Sequence, residues 1–492
     1  MIRRLGLHLS DVHIAVGGIV VLAVVFSPLP LWAKIVVSLV VVAVAVVRFD
    51  RWPVSEWVAR AIASRRQPQL PATSEADLGA IAFPGEDVAV RWEGDELVGL
   101  VAVVARPLTP TVVVAGEALH DDVIDTRLVQ ESLQRSGIEV SADIVSAGWR
   151  VSSSAPAAVS GWGEELLGAD PAPGFRRSWI EVRVDPTKVW RDCRWRGGGL
   201  SGVAAAVVSV ATRLADDLAE VGVDARPAAS FALFDELTQH NEDIVAQQWS
   251  GLRLKAAYTT VFTAPGPNDW WSVRAVRTVT RTRVRVGQVP QSVVALTTLR
   301  PIERDPDGWT RLRGVQMQAL RGDVDVAGSH QLLPVGSAGV LVGRTALDGA
   351  PVYVPFDAAD SSMLISDTEL ALRMAVRACA AGAQLCLPQD MAPAAAALGV
   401  LAGPKPHYRW PGSGATTWLS RSRDGHEITL RPLMIELPLG PMPLRSVDAR
   451  EDAVIGVRLA SREGHSGRGE RDGSKLAAGY GRRGNVIERS SR

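Results

Sequence analysis

The stretch VHIAVGGIVVLAVVFSPLPLWAKIVVSLVVVAVAVV, residues 12–47, is apolar at almost every position and divides at its centre into two runs. The break between them, Ser27-Pro28-Leu29-Pro30, predicts a turn, because proline lacks an N–H and restricts the residue before it. Each run is about 16 residues long, or roughly 24 Å of helix, which is short against a hydrocarbon core of about 30 Å. Flanking Leu9, Leu29, Leu31 and Trp32 must lengthen the spans, or the bilayer must thin locally. The pattern therefore predicts a hairpin of two transmembrane helices, at about residues 12–28 and 31–49.

Basic residues predict the orientation of this hairpin. Arg3 and Arg4 precede the first run, and five arginines follow the second one, at positions 48, 51, 60, 65 and 66. Cytoplasmic flanks of membrane helices are enriched in such residues. A cleaved signal peptide is the alternative for the first run, but no small-residue cleavage site follows it. We predict a two-pass protein of the plasma (inner) membrane, with both termini and the large domain in the cytoplasm.

Composition limits what the rest of the chain can be. The chain has 492 residues, 47% of them hydrophobic, which is enough for one large or two ordinary domains. Its formal net charge is zero, so there is no electrostatic case for nucleic acid as a partner. The three cysteines, Cys193, Cys379 and Cys386, lack the spacing of a zinc or redox pair and are too few for a disulfide-rich secreted fold. A reducing compartment fits best.

The chain after the hairpin (residues 1–50) divides by composition into five segments. Aromatic and basic residues at 51–66 predict a juxtamembrane helix, either resting on the membrane surface or forming an arm to a partner subunit. Prolines predict a linker at 67–82. Residues 83–300 and 301–448 are expected to form two cytosolic subdomains, and Gly, Arg and Ser predict a largely disordered tail at 449–492.

Alternation of apolar and polar residues predicts strands at 87–92, 97–104, 111–115, 179–184, 271–286 and 293–299. Apolar residues at spacings of three and four predict a helix over 203–221 whose apolar stripe must cover a sheet. Asp121 and Asp122 are predicted to cap a further helix that ends at Gly137. The expected fold class is an α+β or mixed α/β cytosolic domain preceded by the two-helix transmembrane hairpin.

Two groups of acidic residues have the composition of metal ligands. His120-Asp121-Asp122 combines imidazole with carboxylates, but a helix start is the favoured interpretation because no further ligand set is recognisable. Asp216-Asp217 with Glu220 resembles a magnesium cluster, yet these residues lie on the polar side of the predicted helix, where Arg213 pairs with them. We predict no metal site, no cofactor-binding site and no catalytic residues.

A third candidate is a ladder of arginines along the predicted strand region, at positions 274, 277, 281, 283 and 285. Such a ladder suits phosphates or an acidic protein surface. Threonines rather than stacking aromatics separate these arginines, which argues against nucleic acid. We expect a solvated sheet face or a protein contact.

The glycine-rich segment LPVGSAGVLVG, residues 333–343, lacks the Lys-Ser or Lys-Thr of a phosphate loop, so we predict a hairpin with residues 351–356. After it, residues 362–366, a helix capped by Asp367 and ended by Gly382, and residues 384–387 form a strand-helix-strand unit. Such units carry nucleotide in secretion ATPases. The Asp367 carboxylate would repel phosphate at the helix N-terminus, so we predict a degenerate unit that does not bind ATP.

Several segments carry a resemblance by their order along the chain: LGL (5–7), PGEDVAVRW (84–92), ADIVSAGWR (142–150), APG (264–266), DWWS (269–272) and the glycine-rich hairpin (333–357). Across residues 5–448 the chain resembles the EccE family of actinobacterial type VII (ESX) secretion systems, in its ESX-1-like branch. The tail after Asp448 departs from that pattern.

The resemblance implies a non-catalytic structural subunit of the plasma-membrane core complex that exports small helical proteins. It implies EccB, EccC and EccD type subunits as partners in the lipid bilayer, with EccC as the ATPase, and no cofactor. The alternative is a membrane-tethered transferase-like enzyme with a mixed α/β domain, which requires a metal-binding acidic pair at a strand end that the sequence lacks. A peptidoglycan- or lipid-binding regulator is a third reading, but the predicted topology places the domain on the wrong side of the membrane.

Overall fold

The computed structural model describes backbone and side chains at residues 26, 30–39, 88–106, 109–168, 170–193, 199–238, 244–345, 348–355 and 372–403. It describes the backbone alone at residues 5–7, 40–49, 52–53, 77–83, 86–87, 362–365, 368–371, 407–409, 415–422, 425–432 and 454–456. The chain forms two compact units. The first comprises residues 1–74, 241–263 and 293–326, and the second comprises residues 75–240, 264–292 and 327–492.

Nine α-helices lie within the described residues. In chain order they are α1 Leu31–Val46, α2 Thr126–Arg135, α3 Ala157–Leu167, α4 Pro186–Val189, α5 Gly199–Glu220, α6 Ala232–Thr238, α7 Gln316–Leu320, α8 Thr368–Ala381 and α9 Ala392–Leu398. Short 3-10 helices occur at Asp269–Trp271 and Gln389–Met391.

The second unit is built on a central antiparallel sheet. Its strands are β1 Asp77–Phe83, β2 Glu86–Glu93, β3 Glu96–Val104, β4 Ser141–Trp149, β5 Phe175–Val184, β6 Asp224–Pro227 and β7 Arg277–Arg285. They lie in the order β7-β4-β5-β3-β2-β1, and β6 pairs with the end of β3. These bounds confirm the strands predicted from alternation at 87–92, 97–104 and 179–184. Strand β1 begins within the segment predicted to be a linker.

Helix α5 covers one face of this sheet, as its apolar stripe requires. Val203, Val207 and Leu214 are fully buried, and the close approach of Val207 to Gly99 of β3 leaves no room for a Cβ there. A Cβ added to Gly99 would lie 2.5 Å from the Val207 side chain. The predicted helix and its packing on a sheet are therefore confirmed.

Helix α6 and aromatic residues cover part of the opposite face. Trp179 of β5 and Phe234 of α6 have ring centroids 4.9 Å apart, and both pack in a cluster with Val98 and Val145. Phe175 stacks on Trp149 at 4.6 Å nearer the end of the sheet. Aromatic pairs at such distances add to the free energy of burial. The rest of this face carries charged residues.

Two smaller sheets stand beside the central one. Strands Val340–Arg344 and Pro351–Val354 form the predicted glycine-rich hairpin, which joins Thr111–Val114 and Glu117–His120 in a four-stranded sheet. Leu332–Pro334 pairs with Val123–Asp125. The hairpin prediction is confirmed.

The strand-helix-strand unit is present as Ser362–Ile365, α8 and Gln384–Pro388, and Gly382 follows the end of α8 with a φ of +120°. Its two strands belong to one seven-stranded sheet but are separated by three others, Gly425–Pro432, Ala415–Ser422 and His407–Arg409. The remaining strands of this sheet are Leu401–Gly403 and Val454–Gly456. The predicted cap, Asp367, lies outside the described residues.

The first unit contains a smaller antiparallel sheet of Ile244–Gln248, Gly251–Leu254, Tyr258–Thr263 and Gln291–Thr298, with Thr310–Arg311 beside Tyr258–Thr263. Gln316 of α7 is fully buried and holds this sheet to the following loop. Its Oε1 accepts the N–H of Val261 at 2.6 Å, and its Nε2 donates to the carbonyl of Leu312 at 2.6 Å. These bonds satisfy a buried amide.

At the N-terminus the second predicted span is a helix, α1, which ends at Val46 rather than at residue 49. Val47–Phe49 is instead a strand between Leu5–Leu7 and Trp52–Pro53. Most of the first predicted span and of the juxtamembrane helix lies outside the described residues. By length and composition, α5 is the one described helix that qualifies to cross a bilayer, and 56% of its apolar window is buried inside the protein. What the structure describes is thus a mixed α+β fold dominated by sheets.

Candidate functional site

The clearest concentration of chemistry in the described residues is a layer of ionised side chains on the α6 side of the central sheet. Strand residues alternate between faces, so residues paired across strands share a face. The register places Asp143 of β4 opposite Glu181 of β5 and Arg283 of β7. It also places Arg183 opposite Val98 of β3, on the same face. Strands β4, β5 and β7 therefore deliver charges to one patch.

Asp143 is the centre of this layer and is fully buried. Arg283 donates to both of its carboxylate oxygens, from Nε at 2.6 Å and from Nη2 at 2.8 Å. Arg281 Nη1 lies 2.6 Å from Asp143 Oδ2 and 2.7 Å from Glu181 Oε2. Arg183 completes the group, with Nε 2.8 Å from Asp143 Oδ2 and Nη2 2.6 Å from Glu181 Oε2.

The layer continues to strand β2. Arg183 also pairs with Glu93, and Arg91 pairs with Glu93 and, at 2.6 Å, with Asp235 of α6. The Arg91 guanidinium lies 4.0 Å above the ring of Phe231, a cation–π contact. Arginines and carboxylates thus alternate across the sheet, which is the arrangement that buried charges require.

These contacts set the protonation of the buried carboxyl groups. Burial alone would raise the pKa of Asp143, but Arg283 and Arg281 outweigh that effect and hold its pKa well below the usual range. Burial likewise opposes ionisation of Glu181, and Arg281 and Arg183 hold its pKa well below the usual value. Both groups are therefore carboxylates at neutral pH. Their lone pairs face arginines, so the layer is suited to holding strands together rather than to proton transfer.

The prediction that the arginine ladder lies on a solvated sheet face is therefore wrong for the central arginines of the ladder. Arg281 and Arg283 are buried, whereas Arg274 is exposed and lies 3.3 Å from Glu164. The predicted strand also begins later, since Trp270 and Trp271 are buried in a 3-10 helix and β7 starts at Arg277. The sequence analysis missed Asp143 and Glu181, the partners of these arginines. The sequence does carry a signal for them. Glu181 and Arg183 on β5, like Arg281 and Arg283 on β7, are charged residues two positions apart, and such residues share one face of a strand.

The His120-Asp121-Asp122 segment lies in a separate place: His120 ends the strand Glu117–His120, and Asp121 and Asp122 form the turn before the strand Val123–Asp125. Helix α2 begins after this strand and its cap is Asp125, whose Oδ1 accepts the N–H of Arg127 at 2.8 Å. The predicted cap at Asp121 and Asp122 is therefore wrong. Asp122 is instead buried, and its Oδ2 accepts the N–H of Arg106 at 2.8 Å.

The electrostatics of this turn do not favour a metal. His120 Nδ1 accepts the N–H of Asp122 at 3.1 Å, so that lone pair is in use. Burial, with the nearby charge of Arg176, lowers the pKa of His120 to about 3. Among the described residues no three His, Cys, Asp or Glu side chains converge as a metal site would require.

A cleft of about 420 Å³ opens beside this turn, between the start of α2 and the end of α5. The Asp216 and Glu220 side chains of α5 are exposed, whereas Asp217 lies 2.9 Å from Arg135 of α2. Arg213 donates to the Arg135 carbonyl at 3.1 Å instead of pairing with Asp216 or Asp217. Of the acidic residues of α5, Asp217 therefore binds α2, while Asp216 and Glu220 face water.

The glycine-rich segment packs around an arginine. Arg176 is buried, and its Nε donates to the Gly336 carbonyl at 2.7 Å while its N–H donates to Ser337 Oγ at 2.8 Å. Gly339 has a φ of +83°, and a Cβ there would lie 2.3 Å from the Val354 carbonyl oxygen. These glycines permit close backbone contacts, in agreement with a hairpin.

Comparisons with known proteins identify the family of the chain. The EccE family model, whose description is type VII ESX secretion system translocon, matches residues 172–264. The ESX-1 secretion system protein EccE1 of Mycolicibacterium smegmatis is 40% identical over 428 residues, 86% of this chain and 91% of the relative. EccE1 of Mycobacterium tuberculosis H37Rv is 40% identical over 427 residues, with the same coverage.

More distant relatives carry other system numbers. The ESX-2 secretion system protein EccE2 of Mycobacterium tuberculosis CDC 1551 is 24% identical over 308 residues, 56% of each chain. The ESX-1 proteins are thus more similar to this chain and match more of it. The chain belongs to the EccE family of type VII secretion system proteins and to its ESX-1-like branch.

Proposed function

We propose that the protein is a non-catalytic structural subunit of the plasma-membrane core complex of a type VII (ESX) secretion system. In this proposal its cytosolic domain braces or organises the complex. The observation that carries the proposal is the 40% identity, over 86% of the chain, to a protein named as a component of the ESX-1 secretion system.

The membrane anchor of the proposal is the hairpin of residues 1–50. Support comes from α1, whose Leu31, Trp32 and Leu39 side chains are 65–75% exposed. An exposed apolar helix of this kind is costly in water and stable in lipid. Two-pass topology, with the large domain in the cytoplasm, follows from the basic flanks.

The bracing role is supported by how the charged residues of the central sheet are used. In the layer around Asp143, arginines and carboxylates bind one another across neighbouring strands. Removing one partner of such a buried pair is strongly destabilising, so these contacts favour one pairing of the strands. A sheet whose charged residues are used up in pairing with one another suits a support better than a substrate-binding domain.

EccB, EccC and EccD type subunits are the proposed partners, together with the lipid bilayer, and nucleic acid is not among them. The test is purification of the full chain from its native membrane in mild detergent, through an affinity tag placed after Arg492. We expect a megadalton-sized assembly that contains an ATPase subunit. The matched control is the same chain without residues 1–50, which lacks the anchor and is expected to elute without the assembly.

Two results would count against the proposal. Elution of the full chain alone, with transferase activity, would favour the membrane-tethered enzyme. Equal recovery of the assembly with the chain that lacks residues 1–50 would show that the anchor is not needed for complex formation.

A further inference from the structure

The cleft between α2 and α5 has the composition of a receptor for a cationic side chain. Four carboxylates line it, those of Asp121, Asp122, Asp125 and Glu131, against the two guanidinium groups of Arg106 and Arg127. Leu128 and Leu218 form apolar parts of the wall of the cleft. Apolar walls that lead to carboxylates match a side chain with an aliphatic stem and a charged end.

A second observation points to a ligand. Asp122 is 1% exposed and lines the cleft, yet its Oδ1 accepts no hydrogen bond from the described residues. The nearest cation, Arg106 Nε, is 3.7 Å from that oxygen, beyond hydrogen-bond distance. A buried carboxylate oxygen without a donor is costly, and a guanidinium entering the cleft would supply donors.

The helix ends do not reverse this preference. The start of α2 favours anions and the end of α5 favours cations, so the two dipoles oppose each other. Asp125 already caps the start of α2. The excess of carboxylates over guanidinium groups therefore makes the net charge of the cleft negative, and the cleft favours a cation over a phosphate.

One arginine in such an open site would bind weakly from solution, because exposed ion pairs contribute little. A covalent tether favours the contact, because it gives the arginine an effective concentration in about the millimolar range. The chain has such a segment in residues 457–492, which follow the strand Val454–Gly456 and contain nine Arg and Lys against four Asp and Glu. At up to about 3.3 Å per residue, this segment is long enough to reach any part of a domain.

We propose that the cleft between α2 and α5 binds an arginine of the chain's own C-terminal segment, residues 457–492. This intramolecular contact is independent of the proposed function, since it concerns one chain.

The test uses the full chain in detergent, with Val221→p-benzoyl-L-phenylalanine as a photo-crosslinking residue. Val221 lines the cleft and is 59% exposed, so the probe projects from the rim. The matched control carries the probe at Val289, which is 53% exposed on the same unit and does not line the cleft. We expect mass spectrometry to find intramolecular crosslinks to residues 457–492 from position 221 and not from position 289.

Charge variants then test the chemistry of the contact. Asp121→Asn with Glu131→Gln is expected to lower the crosslink yield about threefold or more, the effect of losing two exposed ion pairs. Asp216→Asn with Glu220→Gln removes the same charge from the exposed side of α5, outside the cleft, and is expected to leave the yield unchanged. Thermal unfolding of each variant checks that it is folded.

Crosslinks from position 221 to another polypeptide, or none at all, would overturn the proposal. So would an unchanged yield after all eight arginines of residues 457–492 are replaced by glutamine. A yield that rises in the Asp121→Asn, Glu131→Gln variant would show that the cleft prefers an anion, and would also overturn it.

Discussion

At the scale of single residues, the most consequential side chain is Asp143, because three buried arginines depend on its one charge. Asp143→Asn keeps the shape of the side chain and removes the carboxylate. We expect the free energy of unfolding to fall by about 3–5 kcal/mol, the cost of leaving buried guanidinium groups uncompensated. Urea unfolding of the detergent-solubilised chain, followed by tryptophan fluorescence, measures this.

The matched control is Asp216→Asn on the exposed side of α5, which is expected to change the free energy of unfolding by less than about 0.5 kcal/mol. A second variant tests the network directly. Asp143→Asn combined with Arg283→Gln is expected to lose less than the sum of the two single changes, since each removes the other's partner. Strict additivity would contradict the network.

Gly339 is a second residue whose identity is decided by its surroundings. Its φ of +83° disfavours side chains, and an added Cβ would lie 2.3 Å from the Val354 carbonyl oxygen. Gly339→Ala is therefore expected to lower the free energy of unfolding by more than about 1 kcal/mol. Gly161→Ala is the control, because that helical position has open space and the change is expected to stabilise α3 by about 0.5–1 kcal/mol.

At the scale of elements, the turn before α2 makes the unit sensitive to acid. The pKa of His120 is about 3 in the folded protein against an ordinary value of 6.5. Between these values the unfolded chain binds the proton and the folded one does not, so stability falls as pH drops from about 6.5. His120→Asn retains an acceptor for the Asp122 N–H and removes the titrating group. We expect it to reduce the stability lost between pH 6.5 and 5 by about 1 kcal/mol.

The measurement is the urea midpoint at several pH values above 5, where the carboxyl groups of Asp143 and Glu181 contribute less to the change. Asp143 and Glu181 have lowered pKa values, and they act in the same direction as His120 at lower pH. Asp122 has its pKa raised by burial and acts in the opposite direction. A parallel pH profile for His120→Asn and the unchanged chain would rule out this role for His120.

Several elements of the fold can be predicted from local pattern, whereas the partners of the buried arginines depend on contacts between distant strands. Helix α5 and strands β2, β3 and β5 have periodicities that packing on one sheet reinforces. The start of α2 was misplaced because Asp121, Asp122 and Asp125 are all good caps, and the strand Val123–Asp125 forms through pairing with Leu332–Pro334, far along the chain. The burial of Arg281 and Arg283 depends likewise on partners from β4 and β5, which no local window contains.

At the scale of the whole molecule, the two units draw on interleaved parts of the chain. Residues 241–263 and 293–326 of the first unit are interrupted by residues 264–292 of the second. The subdomain boundary predicted at residue 300 stays a prediction, and composition carries no information about which distant strands pair. The family resemblance, by contrast, rests on the order of segments, and the comparisons confirm it over 86% of the chain.

The remaining prediction concerns the membrane topology of the whole chain. We expect alkaline phosphatase, which is active outside the cytoplasm, to be active when inserted after Leu29 in the turn and inactive when fused after Arg492. A fluorescent protein that folds in the cytoplasm should show the reverse. The reason is that arginines flank both ends of the hairpin, while the turn between the runs contains none.

The control deletes one of the two predicted membrane-spanning segments. Deletion of residues 31–47 leaves a single apolar run, which forces either the large domain across the membrane or the run out of the bilayer. We expect the first outcome in part of the population, because the first run is apolar enough to insert, and the arginines at positions 48–66 oppose complete translocation. Phosphatase activity of the C-terminal fusion should therefore rise from background to an intermediate level. Activity of the C-terminal fusion in the intact chain would instead place the large domain outside, and the two-pass arrangement would be wrong.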